Sequence, residues 1–451
     1  MTWCRPDAST RLKIAFPDGR AGGVPPVVAL MRVILVLLSG GAPALAAAYD
    51  YPFMNPYEAT VIGTPSFYQP ALTEYPPVKD YEITVFDDRR VPDVFWYTRF
   101  FRFSLVSQKE SAPLVFVIAG TGSSHESAAM QMFQKAFFDA GFHVLSLSSP
   151  THPNFIVNAS TTRVPGHLVE DAEDLYRVMA MAYDRVRDDI DVTECHLMGY
   201  SLGGAQAAMV ANIDDQKKRF GFRRVLMINP PVSLYHSAGI LDRLLDANLS
   251  MDPGAVDRFF DKYMTLFSEI YRRNDLLKFD EDFLFHIYKA YPQKEKDLQI
   301  LIGLSFRNAA TSMIFVSDVM SRSGFVVPPE RELGPTDSLT DYFKVLGKTG
   351  FTDYFDEFFL PFFRNRYPAL SEAQLKHQMS LKGIESFLRE ADHIGLLHNE
   401  DDIILARGEL AYLLDVFQSR AIVFPTGGHL GNLAHQEVVA AILSFFKEAR
   451  R

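Results

Sequence analysis

Cysteine is almost missing from this chain: of 451 residues only Cys4 and Cys195 carry a thiol. Cys4 falls in an N-terminal stretch read below as a removable leader, so the remaining chain has no internal disulfide open to it. Cys195 lies in a short apolar run and reads as a small core hydrophobe rather than a reactive thiol. Positive charge is also scarce: 45 Lys and Arg stand against 55 Asp and Glu, a formal charge of −10. That balance excludes nucleic acid as a partner and binding driven by anionic lipid headgroups. No G-x-G-x-x-G or P-loop follows a strand, and the 12 histidines show no close ligand spacing. Neither a nucleotide cofactor nor a metal is therefore expected. Internal repeats and low-complexity tracts are absent as well.

Residues 1–48 differ from the rest. Arg32 precedes the apolar run Val33 to Leu38, then come Gly40, Gly41, Pro43 and the small residues Ala44 to Ala48, which suit an A-x-A cleavage site. This is the layout of a secretory signal peptide, with Met31 as a candidate true start. The run from Val24 to Ala48 is interrupted by Arg32, glycines and prolines, and its longest clean stretch falls far short of the roughly 20 residues a membrane span requires. The expectation is an exported protein, periplasmic or secreted, cleaved near Ala48 and without a stable membrane anchor. The mature form would carry 40 basic against 53 acidic residues, or −13. Its oligomeric state is not legible.

What is present is the balance of a globular enzyme, 48% hydrophobic and 22% charged. Residues 49–80 are rich in Tyr and Pro and read as an extended arm without chemistry of its own. Tyr81 to Phe86 and Val94 to Val106 resemble an antiparallel hairpin. Short apolar strands then alternate with amphipathic helices: strand Leu114 to Ala119, helix Glu126 to Ala140, strand His143 to Leu147, helix Leu168 to Arg185, strand Glu194 to Met198, helix Gly203 to Asn212 and strand Val225 to Ile228. The rhythm stops over residues 232–389, which are helical in pattern and carry aromatic stripes at Phe260, Tyr263, Phe267 and Tyr271 and from Phe351 to Phe362. It resumes with strand Ile394 to His398, helix Arg407 to Phe417, strand Ala421 to Phe424 and helix Gln436 to Lys447. The pattern predicts an α/β fold: a mostly parallel eight-stranded sheet with helices on both faces, built from residues 81–231 and 390–451, and a large helical cap inserted between them.

Chemistry concentrates at Gly199-Tyr200-Ser201-Leu202-Gly203-Gly204, a G-x-S-x-G directly after a strand and directly before a helix. A turn this sharp strains the serine backbone, and side chains at the flanking glycines would collide with the strand and helix. A serine hydroxyl needs a base within reach of the same sheet edge. His429 qualifies, in the glycine-flanked loop Pro425 to Asn432 after the last strand. The acid that fixes the imidazole should follow the preceding strand, where Glu400, Asp401 and Asp402 lie; Asp402 is chosen, with Asp401 as close competitor. Asn158-Ala159-Ser160 is formally a glycosylation acceptor.

With Ser201, Asp402 and His429 in that chain order, the sequence resembles the α/β-hydrolase superfamily, in the serine esterase and lipase-like branch. The resemblance implies an oxyanion hole of two backbone N–H groups, matched here by Leu202 and by Thr121 in Ala119-Gly120-Thr121-Gly122. This departs from the family's frequent His-Gly-x-Gly, so the backbone role transfers and the histidine does not; His125 is left out of the catalytic set. The implied activity is hydrolysis of a small-molecule or lipid-like carboxylic ester through an acyl-enzyme on Ser201, without cofactor. An acyltransferase or amidase would use the same residues, and a catalytically silent exported binding protein remains the alternative from another class.

Overall fold

The computed structural model describes residues 49–249, 254, 258, 281–290 and 292–447. The leader and its cleavage site lie outside the described residues, as does the stripe from Phe260 to Tyr271. The account below concerns the compact unit Asp50–Arg451.

Eight strands form one sheet: β1 (Val78–Ile83), β2 (Phe101–Val106), β3 (Ala112–Ile118), β4 (His143–Leu147), β5 (Val192–Tyr200), β6 (Arg224–Ile228), β7 (Ile394–Asn399) and β8 (Ala421–Phe424). Their spatial order is β1-β2-β4-β3-β5-β6-β7-β8. Only β2 runs against the others, pairing antiparallel with both β1 and β4. β3 and β4 are buried at nearly every position because helices cover both faces, which is why they read as unbroken apolar runs.

The helices are α1 (Pro56–Ile62), α2 (Ala128–Asp139), α3 (Pro153–Asn158), α4 (Leu168–Val186), α5 (Leu202–Lys217), α6 (Leu234–Asp246), α7 (Glu281–Ala290), α8 (Glu295–Ser321), α9 (Thr340–Leu346), α10 (Phe351–Tyr354), α11 (Leu360–Arg366), α12 (Glu372–Gln378), α13 (Glu385–Glu390), α14 (Glu409–Phe417) and α15 (Gln436–Lys447). Those from α6 to α13 stand between β6 and β7, where the sequence pattern places the cap. Leu381 and Leu388, near the end of that insertion, join the sheet core instead of the cap.

Three segments differ from the sequence reading. The extended arm contains a helix: Asn55 accepts hydrogen bonds from the Tyr57 and Glu58 amides, and Pro56 occupies the first turn, a start signal hidden among the prolines. The strand expected from Val94 begins only at Phe101. Asp93–Phe95 forms a short 3₁₀ turn after Pro92, and Val94 and Phe95 point into the cap core instead of along the sheet. Asn158 is no glycosylation site in this fold; its side chain is buried and donates to the Thr98 carbonyl and hydroxyl.

The cap is organised by α8. Among the described residues it is the one helix long and apolar enough to cross a membrane, and half of that apolar window is buried within the protein. It packs on α6, α1, α3 and α9. Gly303 allows the crossing with α6, since a Cβ there would stand 2.6 Å from the Leu245 amide nitrogen. The pair is locked by buried Arg307, whose Nε donates to Asp242 at 2.8 Å and whose Nη2 reaches Asp246 at 3.0 Å. The second Asp242 oxygen accepts the Phe351 amide at 2.9 Å, which ties in α10. Breaking a buried ion pair from one side leaves an uncompensated charge. Arg307→Leu should therefore lower unfolding free energy by about 3–5 kcal/mol, read from the urea midpoint.

Candidate active site

Ser201 directly follows β5 and caps α5 with φ +54° and ψ −127°, a conformation rare for a side-chain-bearing residue. It is held there by hydrogen bonds. Its N–H donates to the Ile228 carbonyl at 2.8 Å, and its own carbonyl accepts from the Gly204 amide at 2.9 Å. The glycines expected around it are sterically required. A Cβ on Gly199 would overlap the Gly203 carbonyl, and one on Gly203 would overlap the carbonyls of Ile118 and Ala119. Gly120 is a third such position, missed in the sequence: a Cβ there would stand 2.8 Å from the Tyr200 ring and 3.2 Å from Ser201 Cβ.

The structure brings Ser201, His429 and Asp402 together. Ser201 Oγ lies 2.9 Å from His429 Nε2. On the other side of the ring, Nδ1 lies 3.1 Å from each carboxylate oxygen of Asp402. With Nδ1 facing a carboxylate, the proton of the neutral imidazole sits on Nδ1 and Nε2 presents its lone pair to the serine. Asp402 is buried and also accepts from Asn229 Nδ2 at 2.7 Å and from the Ile404 amide at 3.1 Å. Burial alone would raise its pKa. The charge and hydrogen bond of His429, with His398 and Asn229, outweigh burial and hold the carboxyl below its ordinary value.

Asp401, the competing acid, does a different job. Its oxygens accept the amides of Gly427 at 3.2 Å and Gly428 at 2.8 Å, so it shapes the loop that carries His429. Burial pushes its carboxyl pKa up despite these bonds. Gly427 and Gly428 take positive φ, which glycine adopts freely, and Leu430 is strained at φ +66°. Three supports were not foreseen. Asn399 and Asn432 bond each other at 2.9 and 2.8 Å, and Asn399 also donates to the Gly428 carbonyl. Thr60 of α1 accepts the His429 amide at 2.9 Å while donating to the Pro56 carbonyl. Thr64 donates to the Gly431 carbonyl at 2.8 Å. An Asn-Pro pair ahead of Glu58 was the available signal for α1, but nothing in it points to a histidine more than 360 residues away.

Leu202 follows the serine in sequence, and Thr121 follows Gly120, whose backbone packs against Ser201. Leu202 is the first residue of α5, where an amide has no intrahelical acceptor. Among the described residues neither its amide nor that of Thr121 has an acceptor. The Thr121 turn is braced by Gly122 N–H donating to Thr151 Oγ1 at 2.8 Å and by Ser123 N–H to Gly120 carbonyl at 3.0 Å. Thr121 and Leu202 both line an apolar cavity of about 60 Å³ whose far walls include Ala309, Met313, Phe351 and Phe359 of the cap.

His125 faces away from this cluster. Ser148 Oγ accepts from the His125 amide and from Asn154 Nδ2, which fills its lone pairs and directs its own proton to His125 Nδ1. The ring proton then sits on Nε2, 3.8 Å from Glu126. Asp80, His125 and Glu126 are the one group among the described residues with metal-ligand spacing.

The family described as "Alpha/beta hydrolase family" matches residues 114–442. Among solved structures, a membrane phospholipase A described as a novel bacterial virulence factor is 14% identical, covering 93% of this chain and 97% of that one with a TM-score of 0.41. Est1E from Butyrivibrio proteoclasticus is 12% identical over 77% and 96% with a TM-score of 0.34. The thioesterase domain of the curacin biosynthetic pathway is 12% identical over 82% and 100% with a TM-score of 0.37. No curated protein matches the sequence. Thr60→Val keeps the side-chain shape and leaves the His429 amide without its acceptor. The variant should unfold with about 1–3 kcal/mol less free energy than the parent in urea titration.

Proposed function

From the premise that this chain belongs to the alpha/beta hydrolase family, we propose that it is a serine hydrolase acting on a carboxylic ester through an acyl-enzyme. The observation that carries this reading is the alignment Ser201 Oγ, His429 ring, Asp402 carboxylate, with contacts of 2.9 and 3.1 Å on the two ring nitrogens. His429 Nε2 takes the hydroxyl proton as Ser201 Oγ bonds to the ester carbonyl carbon. The negative charge that develops on the carbonyl oxygen falls to the Thr121 and Leu202 amides, each such donor contributing about 3 kcal/mol to the barrier reduction. The imidazolium, steadied by buried Asp402, then protonates the departing alkoxide. Water repeats the cycle on the acyl-enzyme, giving its proton to His429 and releasing the acid.

Ester preference is read from the cavity. Its walls are almost wholly apolar, and the cap helix α8 stands directly over the oxyanion loop, since a Cβ on Gly122 would come within 3.0 Å of Ala309 Cβ. Such walls accept the end of a short hydrophobic acyl group and reject a charged one.

Ser201→Ala should abolish ester turnover and labelling by a fluorophosphonate probe while leaving the thermal transition in place; full activity in that variant would remove the serine from the reaction. Ala309→Leu narrows the slot next to the oxyanion amides. With p-nitrophenyl esters of graded length, kcat/KM for butyrate should fall at least ten-fold more than kcat/KM for acetate. An equal loss on both would place the acyl chain elsewhere.

A further inference from the structure

Trp96, Tyr97 and Phe100 fall within five consecutive residues, yet 59%, 49% and 45% of their surfaces face solvent. Arg99 between them is exposed too. This segment leads into β2. Because β2 enters the sheet at the edge where β3, β4 and β5 end, the three rings stand on the Ser201 side of the sheet. Beneath this segment the buried Phe95 packs edge-on against the buried Phe315 of α8, which in turn contacts the partly exposed Phe343 of α9 at 5.1 Å between ring centroids.

Next to the rings lies a cleft of about 540 Å³, bordered by Phe86 to Asp93, Arg163 and the cap segment beyond Asp318. Four carboxylates border it, Asp88, Asp93, Asp318 and Glu332, and the last two are engaged. Asp318 accepts the amides of Phe325, Val326 and Val327, and Glu332 pairs with Arg90. Two guanidiniums are left without a carboxylate in contact. Arg89 stacks on Phe86 at 3.8 Å and donates only to the Val157 carbonyl. The Arg163 side chain has no hydrogen bond or ion pair among the described residues, and its backbone takes a left-handed φ of 64°. Burial and the neighbouring Arg163 charge bring Arg89 down to about 10, with Asp174 and Asp88 offsetting part of the effect.

Exposed rings alone would suit a protein partner, and paired arginines alone would suit a soluble anion. Their adjacency matches a surface that offers an apolar layer and phosphates a few ångströms apart. Trp and Tyr rings favour the headgroup level of a bilayer, and guanidinium groups pair with phosphate. We propose that this face docks on a phospholipid–water interface, with Trp96, Tyr97 and Phe100 entering the headgroup layer and Arg89 and Arg163 meeting lipid phosphates. The acidic chain as a whole then selects zwitterionic over anionic lipid. This inference goes beyond the hydrolase reading and concerns where the protein sits, not which bond it cleaves.

The chain has two tryptophans, Trp3 and Trp96. In a Ser201→Ala protein beginning at Tyr49, which lacks the leader and Trp3, Trp96 is the sole indole and no lipid is turned over, so failure here is separable from failure of the hydrolase assignment. Phosphatidylcholine vesicles should shift its emission to shorter wavelength, and vesicles with brominated acyl chains should quench it. In co-sedimentation, the triple variant Trp96→Ser, Tyr97→Ser, Phe100→Ser should partition at least ten-fold more weakly, and Arg163→Gln about five-fold more weakly. Circular dichroism should show both folded. Unchanged emission with vesicles would overturn the proposal. So would the same shift on raising protein concentration without lipid, which would give the face to a second copy of the chain.

Discussion

Everything at the site depends on how closely α5 approaches the sheet. Gly203 rests against the carbonyls of Ile118 and Ala119 and, one turn back, Gly199 rests against Gly203 itself. No other residue fits at either contact. The approach forces the chain between them through the left-handed conformation of Ser201, and the two backbone hydrogen bonds of that residue hold it there. Strain of this kind costs on the order of 1–3 kcal/mol and persists only where the surroundings over-determine it. Here they do: α5 is buried through nearly all of its first ten residues, most of them Gly or Ala, so the helix has no room to relax outward. The same contact presents the Leu202 amide to the space above the serine.

The histidine loop adds polar contacts to packing of the same kind. A Cβ on Gly428 or Gly431 would overlap the Pro56 or Ala59 carbonyl of α1, and polar groups from three remote stretches hold the rest of the loop. Asp401 takes the two glycine amides, Asn399 and Asn432 bracket the turn, and Thr60 receives the amide of His429. Helix α1, which carries Thr60, also packs on the cap helix α8, and Asn55 donates to Glu295 at its start. The arm therefore links the cap to the imidazole. A buried polar network is stable only when each member is satisfied, and this loop answers that demand with side chains the chain must bring from positions 55–64, 399–402 and 432.

This difference explains what the sequence disclosed. Strands β3 to β8 and their covering helices were legible because each is a short apolar run or a 3.6-residue stripe whose burial is local in origin. Ser201 was legible because its steric demand is written in adjacent glycines. Asp402 could be preferred over Asp401 only by its apolar neighbours Ile403 and Ile404, and the structure separates the two carboxyls by what each accepts. Thr60, Asn399 and Asn432 were not legible, since their roles rest on contacts between distant segments with no periodic trace. Val94 and Phe95 misled for a related reason. They are β-formers that a tertiary contact with Phe315 draws out of the sheet.

That contact also limits what the cap can do. Its core is not its own: Val94, Phe95, Ile156, Val157 and Val164 from the base pack in one cluster with Ile314, Phe315, Phe355 and Phe359. Lifting the α8 to α11 layer as a rigid body would return several of these side chains to water, at about 2–3 kcal/mol for each large one. Four such residues approach the whole stability of an ordinary domain. This part of the cap is therefore a fixed wall, and Phe351, Phe355 and Phe359 serve both as its packing and as the lining of the apolar slot. The slot is consequently preformed, and its depth is set by the same residues that keep the cap in place.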